Sequence, residues 1–157
     1  MTQRTRGIVE AFFTAFGSRD PSGVAALICD DIEWRVTGPI EVMSFCGHWH
    51  GKMAVMRMLK QSVPGIFEER TIVNEELLLD GDRAAAMAKL TGIQRHTGRV
   101  ISYSMAHFVR LRDDKIVCVR TLVDSLNAAE QLLGHPIDLS REGDNAWLET
   151  EGDLVAV

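Results

Sequence analysis

Two runs of β-branched and apolar residues make up most of the stretch from Arg99 to Asp124. They flank the charged sequence Arg112-Asp113-Asp114-Lys115, which suits an exposed turn, so the stretch predicts an antiparallel β-hairpin. Side chains alternate between the faces of a strand, which puts Tyr103 and His107 on one face and Phe108 on the other. Neither face is cleanly polar. The hairpin therefore predicts a central place in a sheet covered on both sides, by helices on one face and by a second subunit on the other.

The chain has 157 residues, enough for one domain with a substantial core, and its 46% apolar and 25% charged content is typical of a globular protein. The formal charge of −5 is concentrated at the C-terminal end, where six acidic residues and one arginine follow residue 137. The remainder is neutral and has no basic stripe, so we expect no nucleic-acid partner. We predict one domain over residues 1–135 and an acidic, flexible tail over residues 136–157.

Three cysteines, Cys29, Cys46 and Cys118, have no Cys-x-x-Cys spacing. Their number and spacing argue against a disulfide framework and against a structural zinc site. We see neither a signal-peptide core nor an apolar run of membrane-spanning length, and no glycine-rich phosphate loop. We therefore expect a cytoplasmic protein with no membrane partner and no cofactor.

Apolar periodicity and turn residues divide the chain into helices followed by strands. A helix with an aromatic face is predicted over residues 3–17, and a second short helix starts at Asp20-Pro21. A strand over Ile32 to Thr37, an irregular loop to Gly51 and a third helix over Lys52 to Ser62 follow. The remaining chain predicts strands over residues 71–79 and 83–93, the hairpin, and a short helix capped by Ser125.

Several short motifs lie along this order of elements: Val9 to Phe16 with Ser18-Arg19-Asp20, Val24 to Leu27, Asp30 to Trp34, Gly47 and Gly51, Asp80-Gly81-Asp82, and Asp114 to Val117 with Arg120 and Asp124. Together they resemble the nuclear transport factor 2-like superfamily, in its SnoaL-like, ketosteroid isomerase-related branch, over residues 7–124. The resemblance implies an α+β, cone-shaped fold with a curved antiparallel sheet wrapped around three N-terminal helices. It also implies an apolar pocket for a small molecule, but it does not specify the activity, since one fold of this kind hosts many activities.

Matching the family's catalytic positions to this sequence gives mostly apolar residues. The isomerases' tyrosine donor corresponds to Phe12, their catalytic aspartate to Val36, and their second acid to Ala106 or His107. Epoxide hydrolases of the same fold resemble the chain no better, because their acidic and basic positions fall near Ala88, Leu90 and Thr121. The resemblance therefore implies neither steroid isomerisation nor epoxide hydrolysis by those residues. The interior positions that it implies are Phe12, Trp34, Val36, Ala88, Leu90, Phe108, Val119 and Val123.

His107 is the candidate catalytic base, because an imidazole among aromatic neighbours can exchange protons near neutral pH. Asp124 is the candidate carboxylate that orients it, as in hydrolytic triads. The alternatives are a buried structural histidine or one at a subunit interface, and a structural pair of Arg120 and Asp124 at the end of the last strand.

His48 and His50 flank Trp49 in the predicted loop, so both imidazoles point the same way in an extended chain. A metal site there would need further ligands such as Glu41, Cys46 or His107, and we expect substrate contact or solvent exposure instead. The predicted substrate-binding residues are Phe12, Trp34, His48, Trp49, Tyr103, Phe108 and Thr121. Among them Tyr103, Trp34 and His48 could donate a hydrogen bond to an enolate oxygen.

These features favour a SnoaL-like protein with an apolar pocket for a small hydrophobic carbonyl or polyketide-like compound. The predicted chemistry is cofactor-free isomerisation, cyclisation or dehydration. One alternative is a noncatalytic small-molecule-binding protein, and another is an interaction module that uses the acidic tail and Trp147. We predict a homodimer through the outer sheet face, since exposing Tyr103, His107, Cys118 and Leu122 to water would be costly.

Overall fold

The computed structural model describes residues 3–140. Two helices open the chain, α1 (Gln3–Gly17) and α2 (Pro21–Leu27), and strands β1 (Ile28–Thr37) and β2 (Gly47–His50) follow. Helix α3 (Lys52–Arg57) continues through a π-helical turn (Met58–Ser62) into α4 (Val63–Ile66). The chain then forms β3 (Phe67–Asp80), β4 (Arg83–Gln94), β5 (Val100–Arg112) and β6 (Lys115–Val123), and ends in α5 (Ser125–Leu133).

The first two helices form as their sequences predict. In α1 the buried residues Val9, Phe12 and Phe13 recur at helical spacing and face the sheet. The side chain of Asp20 accepts a hydrogen bond of 2.9 Å from the backbone N–H of Gly23, which caps α2. The third helix extends beyond its predicted end at Ser62 because Pro64 occupies the first turn of α4, where a proline is tolerated.

The six strands form one curved sheet in the order β2-β1-β6-β5-β4-β3. Strands β1 and β6 are parallel, and every other neighbouring pair is antiparallel. The predicted hairpin is β5–β6, with Asp113 and Asp114 in left-handed backbone conformation at its turn. The segment expected to be an irregular loop before Gly51 contains β2, which pairs with β1. The α+β fold class is therefore confirmed, with a mixed sheet.

Strand β5 alternates strictly between buried and exposed positions, so one face of the sheet is the core. Tyr103 and His107 lie on that inner face and are each 1% exposed. Phe108 has the opposite parity, lies on the outer face and is 50% exposed. The expectation that Phe108 faces the interior is therefore wrong, because a regular strand cannot direct both His107 and Phe108 inward.

The same inward orientation removes two of the four residues from the predicted outer-face dimer interface. Tyr103 and His107 do not need a second subunit to cover them, and only Cys118 and Leu122 of the four residues are on the outer face. The predicted acidic tail falls mostly outside the described residues, as does Trp147. Within residues 3–140, no helix is both long enough and apolar enough to cross a membrane.

Candidate functional site

Two cavities lie between the helices and the inner face of the sheet. The outer cavity has a volume of about 230 Å³ and is lined by residues of α1, α2, the helical segment from Met58 to Ile66, and β3. The inner cavity has a volume of about 30 Å³, enough for about one water molecule. Phe16, Val63 and Arg70 line both cavities and therefore form the wall between them. The inner cavity is otherwise lined by Trp34, Val36, Phe45, Met58, Ile72, Leu90, Tyr103, Met105, Thr121 and Val123.

The imidazole of His107 lies behind the inner cavity and is bonded to a hydroxyl that lines it. His107 and Thr121 are directly opposite on β5 and β6, and Nδ1 lies 2.9 Å from Oγ1. The rings of Phe13 and Phe16 cover the imidazole, with centroids 5.7 and 5.6 Å away. Nε2 has no hydrogen-bond partner among the described residues. Burial lowers the pKa of His107 to about 4, so the ring is neutral at pH 7.

Tyr103 supplies a hydrogen-bond donor in the same cavity. Its side chain lines the inner cavity and is 1% exposed. Burial is the main cause that raises the pKa of Tyr103, and the nearby Cys46 acts in the same direction. The phenol therefore remains protonated at neutral pH and can donate to an oxygen of a bound molecule.

Arg70 carries the positive charge closest to the inner cavity, and sequence analysis did not identify it. Its Nη2 donates to the backbone oxygen of Phe16 at 3.3 Å, and its guanidinium lies 5.1 Å from the centroid of the Phe16 ring. Nη1 is buried without a partner among the described residues. The sequence signal for an inward-facing Arg70 is the alternation of side chains along β3, since Arg70 and the apolar Ile72 are two residues apart and share a face. In the structure both residues pair with inward-facing positions of β4.

Asp124 does not orient His107. The side chain of Asp124 is exposed at the N-terminus of α5, and its backbone N–H donates to the backbone oxygen of Ser104. The partner of the imidazole is Thr121 instead, because cross-strand register places that residue opposite His107. The hypothesis of a carboxylate-oriented imidazole is therefore wrong for this pair.

The predicted aromatic residues divide between the cavity and the packing around it. Trp34 lines the inner cavity, whereas Phe12 packs against Trp34 with centroids 5.7 Å apart and lines neither cavity. Trp49 lies opposite Trp34 on β2, is partly buried, and donates from Nε1 to the backbone oxygen of Phe45 at 2.9 Å. Trp34, Tyr103 and Thr121 are thus the predicted binding residues that the fold brings together.

His48 and His50 lie on the exposed side of β2, on the face opposite to Trp49. The Glu33 carboxylate accepts hydrogen bonds from Nε2 of His48 and from Nδ1 of His50, the latter at 2.5 Å. These bonds lower the pKa of Glu33. No group of three or more side chains among residues 3–140 is arranged to hold a metal ion. Cys46 is buried, and burial raises its pKa to about 11, which makes it a poor nucleophile at neutral pH.

Comparison with known proteins identifies the fold and the family. The model of the SnoaL-like domain matches residues 9–119. The comparison with curated protein sequences gave no significant match.

Solved structures give the same fold. A candidate isomerase from Rhodopseudomonas palustris is 28% identical over 86% of this chain and 100% of its own, with a TM-score of 0.72. A protein of unknown function like nuclear transport factor 2, from Burkholderia pseudomallei, is 20% identical over 83% of this chain and 98% of its own, with a TM-score of 0.75. A candidate SnoaL-like polyketide cyclase from Jannaschia sp. CCS1 is 14% identical over 85% of this chain and 94% of its own, with a TM-score of 0.72. The last two are similar in fold alone.

Proposed function

The chain belongs to the SnoaL-like domain family, and on that premise we propose that its cavities bind a small hydrophobic carbonyl or polyketide-like compound. The observation that carries the proposal is the apolar lining of the inner cavity around two hydroxyl groups, those of Tyr103 and Thr121. Apolar walls favour a flat hydrophobic molecule, and a few placed polar groups fix its orientation. Because the inner cavity has a volume of only about 30 Å³, such a molecule enters it from the outer cavity by displacing the ring of Phe16, which separates the two.

The chemistry that we propose is cofactor-free proton transfer at a carbon next to the carbonyl. The Tyr103 hydroxyl donates to the carbonyl oxygen and stabilises the enolate that forms when the carbon loses its proton. The Thr121 hydroxyl takes that proton while it passes its own to Nδ1 of His107, with which it is hydrogen-bonded. Return of a proton to another carbon gives an isomer, and attack of the enolate on a second carbonyl gives a cyclised product.

The pKa shifts of the two groups set the protonation state in which each acts. Burial lowers the pKa of His107 to about 4, so the ring is neutral at pH 7 and can accept a proton, although it is a weaker base than an ordinary imidazole. Tyr103 keeps its proton because burial raises its pKa, so it can donate a hydrogen bond. Environments that push two pKa values apart are typical of acid and base pairs in enzymes.

The second candidate is a protein of the same fold that binds such a compound without turning it over. Two observations favour it. None of the described residues that line the inner cavity is an aspartate or glutamate. His107 is not among the described residues that line the inner cavity, so proton transfer depends on the hydroxyl of Thr121, which does line it.

Methyl NMR of the methionines tests binding directly. Met58 and Met105 line the inner cavity, whereas Met53 is 84% exposed on α3 and serves as the internal control. Addition of β-tetralone, a flat hydrophobic ketone, should shift the methyl signals of Met58 and Met105 and leave Met53 unchanged. Shifts at none of the three, or at Met53 alone, would contradict binding in the cavity.

We further propose that the protein forms a homodimer through the outer face of the sheet. Met87, Phe108 and Leu122 on that face are 44%, 50% and 49% exposed. Ala106 lies between Met87 and Leu122 in the strand register, and Phe108 is the next outward residue on β5. We call these four residues the outer apolar patch. A contiguous exposed patch of this kind is typical of an interface between subunits.

A further inference from the structure

The strongest unexplained feature of the site is the guanidinium of Arg70, which is largely buried and has no carboxylate partner. No described ion pair includes Arg70, and its Nη1 atom is buried without a hydrogen-bond partner among the described residues. Its Nη2 atom donates to the backbone oxygen of Phe16, and the guanidinium carbon lies over the Phe16 ring. A buried charge without a counter-ion is costly, so a fold that keeps one gains most when an anion binds there.

The surrounding charges also favour an anion. Arg19, Lys60 and Arg70 line the outer cavity. Asp20 is the one acidic residue among its described lining residues, and the Asp20 carboxylate is engaged in capping α2. Burial, and secondarily the charge of Arg19, lowers the pKa of Arg70 to about 10, so the guanidinium remains charged at pH 7.

The position of Arg70 determines where a bound anionic group would lie. Arg70 lines both cavities, so an anionic group bound to it would lie between the positively charged outer cavity and the apolar inner cavity. A guanidinium presents planar N–H donors that match the two oxygens of a carboxylate. The guanidinium lies over the ring of Phe16, which lines both cavities, so displacement of that ring would widen access to Arg70.

We propose that the ligand of this site is a hydrophobic carboxylic acid whose carboxylate binds Arg70 and whose apolar part enters the inner cavity toward Tyr103 and Thr121. This inference rests on the proposed function, because it names the class of the compound that the cavities bind. It adds a binding residue, Arg70, and a charge requirement that an apolar pocket alone would not impose.

A matched pair of probes tests the charge requirement. β-Naphthoate and methyl β-naphthyl ketone share the same ring system and differ in the carboxylate. Calorimetric titration of the whole protein at pH 7 should give an affinity for the acid about tenfold or more above that for the ketone. The substitution Arg70→Met should remove that preference. Arg57→Met is the control, since Arg57 is exposed and lines neither cavity, and it should keep the preference.

The outcomes separate this inference from the proposed function. Equal affinities of the wild-type protein for the two probes, with methyl shifts at Met58 and Met105, would overturn the role of Arg70 and leave the proposed function standing. Binding of neither probe, together with no shift by β-tetralone, would overturn both. If Arg70→Met does not fold, as judged by circular dichroism, Arg70→Gln replaces it, and loss of preference is again the expected result because the glutamine side chain is polar but uncharged.

Discussion

His107 and Thr121 face each other across strands β5 and β6, with Nδ1 of the imidazole 2.9 Å from Oγ1 of the hydroxyl. Both side chains are buried, at 1% and 4% exposure, and only the hydroxyl reaches the wall of the inner cavity. The hydrogen bond therefore connects a buried base to the space that a ligand would occupy.

Substitution of Thr121 tests the energetic part of this relationship. Thr121→Val keeps the shape of the side chain but leaves both ring nitrogens of His107 without a partner. We expect a loss of roughly 1 to 3 kcal/mol in the free energy of unfolding by urea. Thr121→Ser retains the hydroxyl and should recover most of the hydrogen bond's contribution. Equal stabilities of Thr121→Val and the wild-type protein would show that the bond contributes nothing to the fold.

The buried imidazole makes stability depend on pH. The folded-state pKa of His107 is about 4, below the ordinary value of 6.5, so below about pH 6.5 the unfolded chain binds a proton that the folded chain does not. Stability therefore falls as the pH drops from 6.5 toward 4, and the loss between pH 7 and pH 5 should be roughly 2 kcal/mol. Urea unfolding at the two pH values measures it.

The matched variants for this measurement are His107→Asn and His96→Gln. His107→Asn removes the buried titrating group. The loss of unfolding free energy between pH 7 and pH 5 should therefore be smaller in this variant, by roughly the 2 kcal/mol attributed to His107. His96 is exposed in the turn after β4, so His96→Gln should lose as much unfolding free energy between pH 7 and pH 5 as the wild-type protein does. A wild-type slope in His107→Asn would show that other groups cause the pH dependence.

Phe16 is predicted to control how large a ligand the cone accepts. Its ring stacks on Phe12 with centroids 6.1 Å apart and forms part of the wall between the two cavities. Phe16→Ala should join the cavities, with a loss of about 2 kcal/mol in stability because the ring is only partly buried. Affinity for methyl β-naphthyl ketone should rise relative to that for a smaller ketone such as acetophenone. An unchanged ratio of the two affinities, measured by calorimetry, would contradict the role of Phe16 as a wall.

The outer apolar patch predicts the oligomeric state. Phe108→Glu places a charge within the patch and should convert a dimer into a monomer, as measured by size-exclusion chromatography with light scattering. Stability of the subunit should change little, since the side chain is half exposed. Met53→Glu, at an exposed site on α3, is the control and should leave the dimer intact. A monomeric wild-type protein would refute the dimer directly.

Much of the fold could be predicted from the sequence because its signals are local. The aromatic stripe of α1, the Asp20-Pro21 start of α2 and the charged turn of the β5–β6 hairpin each determine the structure of their own segment. Strand β2 could not be predicted in this way. Its four residues pair with β1, and that pairing depends on tertiary structure rather than on a pattern within Gly47–His50.

The site was predicted less well because it depends on which face of each strand is inward. Tyr103 and Thr121 reach the inner cavity as predicted, but Phe108 differs in parity from Tyr103 and faces outward. Arg70 was missed because a charged residue beside Glu68 and Glu69 resembles a solvent-facing run. Its parity with Ile72 is a local signal for the inward direction, but a register shift between Phe67 and Glu69 gives the buried Phe67 the opposite parity and obscures that signal.

The central claim is that the Thr121–His107 pair moves a proton of a bound carbonyl compound, and deuterium exchange measures it most directly. β-Tetralone in deuterium oxide at pH 7 should lose the NMR signals of its α-protons faster with the wild-type protein than in buffer alone. Thr121→Val should bind the ketone, as shown by the Met58 and Met105 methyl shifts, and reduce the exchange to the buffer rate. If the wild-type protein binds the ketone and exchange stays at the buffer rate, the catalytic claim is contradicted and the noncatalytic binding protein is the correct account.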